Sequence, residues 1–518
     1  MSERGNMVDT WQEANNQVLE LMEKEQWQEA LLAADRALAL AQKEFGEIHP
    51  LVAVAFNNLG EVNHILGRFT ESEAAFRRSL AISEDDSTGA AGPEIADTLF
   101  NLAELLISKE ETAEAGRCME RVVALYEGHD TDPLQLAAAL HYAAMIAQHL
   151  GETQKAQGHL LAGLAAAEKK LEGNDLHLVP FLKGLAVFDL QAGEVDKAEE
   201  RLRRSIAILE KSVGPEDPDF AASLALMAEV YVARGHAPAA ESFFNQALEI
   251  FKSTLGQEHG ETAAILERLA ELSAAGGKSE RAEALLKEAL DSYIAALGGD
   301  DPATARVQND LGELYLESSR HELALPLFDA SLQSREKVYG KDHPVVAQSL
   351  NNLGVVHSLR GEKTLALKRH AKALAIREKA FGASHPAITQ SLENMAAIHQ
   401  EKGETDKAEP LLQRSLAIWE EVYGDKHPAV AQANHNLASL YMAGDRHVEA
   451  ERKLMAARKI LETDKEANAL HLVTVFKTFA TLYKTMGRIA ESREAAARAE
   501  KISKSQQSQK SGAVPTVH

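Results

Sequence analysis

The chain has 518 residues, 45% of them hydrophobic and only 5% aromatic, with one cysteine and a formal charge of −23. So acidic a chain lacks the basic footprint that nucleic-acid phosphates or an anionic membrane require. A lone Cys118 allows neither an internal disulfide nor a cysteine metal cluster. No apolar stretch approaches the length needed to span a bilayer, and no alternating strand pattern appears, so an all-α chain is expected.

In chain order, residues 1–7 read as a flexible N-terminus, and Met1 to Thr10 carries no apolar run of the kind that makes a secretion signal. Helical periodicity starts at residue 8, and a 42-residue register then governs the chain. Gly67, Gly151, Gly193, Gly235, Gly277, Gly361, Gly403 and Gly487 all fall on it. A first small column precedes these turns, as at Gly60, Ala144, Ala228, Gly312, Gly354 and Ala396. A second follows them at Ala156, Ala198, Ala240, Ala366 and Ala408, and a third at Ser79, Ser205, Ser331, Ala373 and Ser415. Three small columns at fixed phase mean three places where helices nearly touch. Self-similarity of this period marks a solenoid whose units bury their apolar faces against their neighbours. The first pair, about residues 8–45, keeps Ala30 and Ala37 but puts Val18 in the first small column, so it reads as an atypical cap.

Later units show the local design. His343-Pro344 opens a helix with Val346, Leu350, Leu353 and Val356 on one face; proline at the first helical position loses no intrahelical bond. Gly361 breaks the chain, a second helix carries Ala366, Ala373 and Ile376, and Gly382 caps it before His385-Pro386 begins the next unit. The unit around Asn101 is shifted by one residue, with Glu110 at the turn, and Ser319 and Asp445 also replace the turn glycine. Ser503 to His518, rich in Ser, Gln and Lys, is expected to be a disordered tail.

Paired helices with small residues at these three phases resemble tetratricopeptide repeats. Leu350-Asn351-Asn352-Leu353-Gly354 and Ala373-Leu374-Ala375-Ile376-Arg377-Glu378 are similar to the longer repeats of kinesin light chains and their bacterial look-alikes. The resemblance implies a continuous right-handed superhelical solenoid of about twelve helix pairs over residues 8–502. It also implies a concave groove lined by the first helix of each pair.

Nothing in the sequence points to catalysis. There is no phosphate-cradling glycine loop, no His-Glu-x-x-His, and no strand-turn-helix for a nucleophile. His49, His343, His385 and His427 precede proline at one phase of successive units, so they read as caps rather than metal ligands, and neither metal nor cofactor is expected. The expected function is a cytoplasmic, non-enzymatic scaffold or adaptor that holds an extended peptide or disordered segment of a protein partner in the groove. The alternative is a sensor whose superhelix responds to a partner or effector.

By the resemblance, inward positions lie six, three and two residues before the first small column and one after it. They carry Gln348, Gln390 and Gln432, then Asn309, Asn351, Asn352, Asn394, His435 and Asn436. Carboxamides offer both donor and acceptor, which suits a peptide backbone. Kinesin light chains hold cargo peptides with asparagines at positions matched by Asn351, Asn352 and Asn394. In the middle units Glu229, Glu267, Glu271, Asp310, Glu313 and Glu317 fall on or beside the inward phases. Crowded carboxylates favour a partner segment bearing exposed Lys or Arg.

Overall fold

The computed structural model describes residues 10–85, 92–129 and 131–512. The described residues form twenty-four α-helices and no strands, and within the first twelve and within the last twelve each helix packs antiparallel on its successor. The chain divides into two compact units, Met1–Thr254 and Leu255–His518. Residues 1–7, expected to be flexible, lie outside the described residues. The C-terminal helix Ile489–Gly512 runs into the segment expected to be unstructured from Ser503. A Lys504–Glu500 pair at i, i+4 supports the helix where it enters that segment.

Each unit is a stack of hairpins built by the same devices. The turn needs one residue with positive φ, supplied by Gly361 at 78°; where glycine is missing, Glu25, Glu110, Ser319 and Asp445 adopt the same conformation at 55° to 62°. The imidazole Nδ1 of His49, His343, His385 and His427 accepts the N–H of Leu51, Val345, Ala387 and Ala429 at 3.1–3.3 Å, satisfying a donor that the helix start leaves open. Each ring also stacks on the aromatic residue ending the previous helix, as Tyr423 on His427 with centroids 4.5 Å apart. Asp217 and Asp301 do the capping where histidine is absent. At Pro386 the chain starts with a single 3-10 turn before the α-helix Thr389–Glu401, unlike the direct starts at Pro344 and Pro428.

The small columns are the helix contacts. Ala156, Ala198, Ala240, Ala282, Ala324, Ala366, Ala408 and Ala450 are all at most 1% exposed, and the first pair buries Val18, Ala30 and Ala37 likewise. The third column's serines hold the first helix of their own pair by hydrogen bonds, Ser331 Oγ donating to the Ala305 carbonyl at 2.7 Å and Ser79 Oγ to that of Ala53 at 2.8 Å. Cys118 is one more buried packing residue, and burial pushes its thiol above the ordinary range, away from thiolate chemistry. Overpacking such a contact displaces two helices, so Ala366→Leu is expected to cost about 1–3 kcal/mol. An unchanged thermal melt of that variant would show that Ala366 does not face a neighbouring helix.

Candidate functional site

The inward columns lie on the second unit's leading helices Gly260–Ala275, Pro302–Glu317, Pro344–Leu359, Thr389–Glu401 and Pro428–Ala443. The structure sorts them into two classes. Gln348, Gln390 and Gln432 are exposed, whereas Asn309 and Asn351 are buried at 0% and 1% exposure.

The buried amides stitch repeat to repeat. Asn352 Nδ2 donates to Asn309 Oδ1 at 2.9 Å and to Glu313 Oε1 at 2.8 Å, and Asn394 Nδ2 donates to Asn351 Oδ1 at 3.3 Å. His435 Nε2 shares a 2.9 Å bond with Thr478 Oγ1 in the next unit of the register. The first unit repeats the pattern, with Asn58 donating to Asn15 at 2.8 Å and Asn101 to Asn57 at 3.3 Å. Because the same link recurs wherever the register supplies two amides, it answers a structural need of the stack. Asn309, whose Nδ2 and Oδ1 both find partners in the stack, is therefore corrected from a ligand contact to a packing residue. Asn351 is equally buried, with its Oδ1 taken up by the stack and its Nδ2 making no hydrogen bond among the described residues. Asn351 Oδ1 also receives His370 Nδ1–H at 2.8 Å. Burial, reinforced by Arg377, holds that imidazole near 4, so it stays neutral. Asn352, Asn394 and Asn436 remain half-buried at the surface, and Asn436 accepts from Gln432 Nε2 at 2.9 Å.

The acidic residues are only partly brought together. Glu267, 4% exposed, is gripped by Arg306 through Nε and Nη2, both at 2.6 Å, and receives the Tyr293 hydroxyl at 3.4 Å. Glu271 pairs with Arg268 on the same helix. Beside them Asp310 is pushed up to about 7, first by burial and then by Glu267 and Glu313, with Asn309 and Arg306 opposing. Glu313 is spent on the amide ladder, Glu317 is exposed, and Glu229 lies on the helix Pro218–Ala233 of the other unit. Glu267, Glu271, Asp310 and Arg306 thus share one groove of about 930 Å³ with Arg335 and Gln348.

Two residues that periodicity alone did not single out are Arg335 and Arg377, one period apart on the second helices. They are 5% and 9% exposed; Arg335 donates to Ser349 Oγ at 2.8 Å and Gln348 Oε1 at 3.4 Å, and Arg377 to Ser391 Oγ at 3.2 Å and Gln390 Oε1 at 3.3 Å. Among the described residues neither pairs with a carboxylate, and burial pulls both guanidinium groups below their ordinary range. The signal was the identical Arg-Glu-Lys at positions 335–337 and 377–379. The groove is therefore a mixed surface: carboxylates around Asp310, then alternating exposed glutamines that rest on buried guanidinium groups. It can hydrogen-bond a main chain along its length and discriminate charge at one end.

A family model described as Tetratricopeptide repeat matches residues 18–85, 179–253, 261–333, 315–379 and 387–463. Protein KINESIN LIGHT CHAIN-RELATED 1 of Arabidopsis thaliana is 30% identical over 99 residues, which cover 19% of this chain and 16% of that protein. Among solved structures, BtubC (BKLC) from P. vanneervenii is 25% identical, with a TM-score of 0.38 over 49% of this chain and 94% of that one. A putative kinesin light chain from Podosopora anserina with nearly identical TPR-like repeats is 25% identical, with a TM-score of 0.36 over 40% of this chain and 98% of its own.

Proposed function

Because this chain belongs to the tetratricopeptide repeat family, whose members generally serve as protein–protein interaction scaffolds, we propose that the second unit holds an extended segment of a protein partner along its row of exposed glutamines. The observation that carries this reading is the groove itself: Gln348 and Gln390 are held from below by Arg335 and Arg377 yet stay exposed. A glutamine fixed through its Oε1 presents its Nε2 donors in one direction, so little side-chain entropy is lost when a peptide carbonyl arrives. Asn352 and Asn394, each fixed through Nδ2, present their Oδ1 acceptors, which suit peptide N–H groups. The chain acts here as a non-enzymatic adaptor.

The partner's charge is set at the Asp310 end. A lysine or arginine seated there restores the ionised form of Asp310 and joins Glu271. Binding of a Lys/Arg-rich peptide is therefore expected to strengthen as pH rises from 6 to 8, because Asp310, at about 7, releases its proton across that window. A titration of matched basic and acidic peptides at both pH values tests this. Equal or tighter binding of the acidic peptide rejects the basic partner. Unchanged affinity in a Gln348→Ala/Gln390→Ala variant rejects the glutamine row as the contact surface.

A further inference from the structure

The repeats reuse one ion pair across successive second helices. Lys372 reaches back 36 residues to Glu336 at 2.9 Å, and Arg414 reaches back 36 to Glu378 at 2.6 Å while also donating to the Ala383 carbonyl at 2.9 Å. In the first unit Arg204 does the same toward Glu168, at 2.5 Å, and toward the Gly173 carbonyl. One period after Arg414 the partner of Glu420 should stand at position 456, and there the chain has alanine. The long side chain that Lys372, Arg414 and Arg204 place at this position is missing. A cleft of about 550 Å³ opens between the loop before Pro428 and the helix His447–Leu461.

What lines the cleft is unusual for so acidic a chain. Lys426, Arg452, Lys453 and Lys459 border it, and among the described residues none of the four makes an ion pair, although basic side chains elsewhere in the repeats are commonly paired. Glu420 and Asp425 are the carboxylates on its wall, so two positive charges are left over. Burial pulls the Lys453 ammonium below the usual lysine range, an effect that Glu420 opposes and Arg452 reinforces. Unpaired cations crowded around a cavity repel one another, and an anion placed among them relieves that repulsion and gains charge-assisted hydrogen bonds.

We propose that this cleft binds a phosphate-type dianion, the class whose charge of about −1.5 to −2 at neutral pH matches the surplus of its lining. The source is either a free phosphate ion or a phosphorylated side chain of a partner. None of Gln348, Gln390 and Gln432 lines this cleft, although Val430 and Asn434 stand on the same helix as Gln432.

Calorimetric titration of the full chain, in phosphate-free buffer, with inorganic phosphate and with a phosphoserine peptide tests the proposal. Two variants separate a built site from diffuse charge. Lys453→Gln removes one cation, and Ala456→Arg refills the cleft as Arg414 fills the preceding one, adding positive charge. At least tenfold weaker binding is expected in both. A peptide bound more than tenfold tighter than the free ion identifies a phosphorylated partner, and comparable affinities identify the ion. No binding of either probe by the parent chain overturns the proposal, as does undiminished or tighter binding by Ala456→Arg. Ala456→Arg is also expected to melt no lower than the parent, because its guanidinium meets Glu420; if it melts lower, the Lys453→Gln titration alone decides, and unchanged affinity there rejects the site.

Discussion

Replacing Gly312 by alanine is expected to destabilise the second unit by about 1–3 kcal/mol, the usual cost of forcing extra volume into a packed contact. A Cβ at Gly312 would stand 2.7 Å from Cε1 and 2.9 Å from Cζ of Phe328, whose side chain is fully buried. The chain itself displays the remedy. In the same register Gly60 faces Phe76 and Gly354 faces His370, whereas Ala144, Ala270, Ala396 and Ala438 are matched with Leu160, Leu286, Leu412 and Leu454. Rings go with glycine and leucines with alanine. Ala228, matched with Phe244, departs from the rule, and that departure sets the expected loss as a local strain rather than global unfolding. Chemical denaturation of Gly312→Ala, Phe328→Leu and the double variant should return a favourable coupling of at least about 1 kcal/mol, within the range seen for residues in contact. Additive losses would mean that the ring is not what excludes the methyl group.

The fold was readable because its determinants are local and repeated. Turn, cap and small-column positions each recur, so an accident at one unit is corrected by the others; Glu110, Ser319 and Asp445 keep the turn even without glycine. The inward surface was harder to read. Phase says which residues face the next helix, but it does not separate a side chain that reaches solvent from one that reaches the neighbouring repeat. Asn309 and Asn352 sit three and two residues before their small columns, and their bond across 43 residues takes Asn309 out of reach of any ligand. Arg335 and Arg377 were missed for the converse reason: they belong to the second helices, yet their length carries the guanidinium groups through to the glutamines. The shortfall at Ala456 is legible only once Lys372–Glu336 and Arg414–Glu378 are seen as one recurring pair.

Arg306→Ala is expected to be the most damaging single change in the groove. Glu267 is 4% exposed, and its two oxygens depend on the Arg306 fork at 2.6 Å, so removing the fork strands a buried carboxylate next to Asp310. Stranding one member of a fully buried pair costs roughly 3–5 kcal/mol; the Arg306 side chain is 53% exposed, which lowers the expectation to about 2–4 kcal/mol near pH 8. The pH dependence has a definite sign. Asp310 is raised above its ordinary 3.8, so its contribution to stability is complete below that value and is lost as pH climbs through about 7. Arg306 is one of the groups holding Asp310 down, so the variant should lose stability more steeply than the parent between pH 5 and pH 8. Glu267→Gln in the Arg306→Ala background removes the stranded charge and should restore part of the loss at pH 8. Denaturation curves of the parent, the single and the double variant at both pH values decide it. Absence of rescue at pH 8 would place the damage in lost Arg306 packing instead of the orphaned carboxylate.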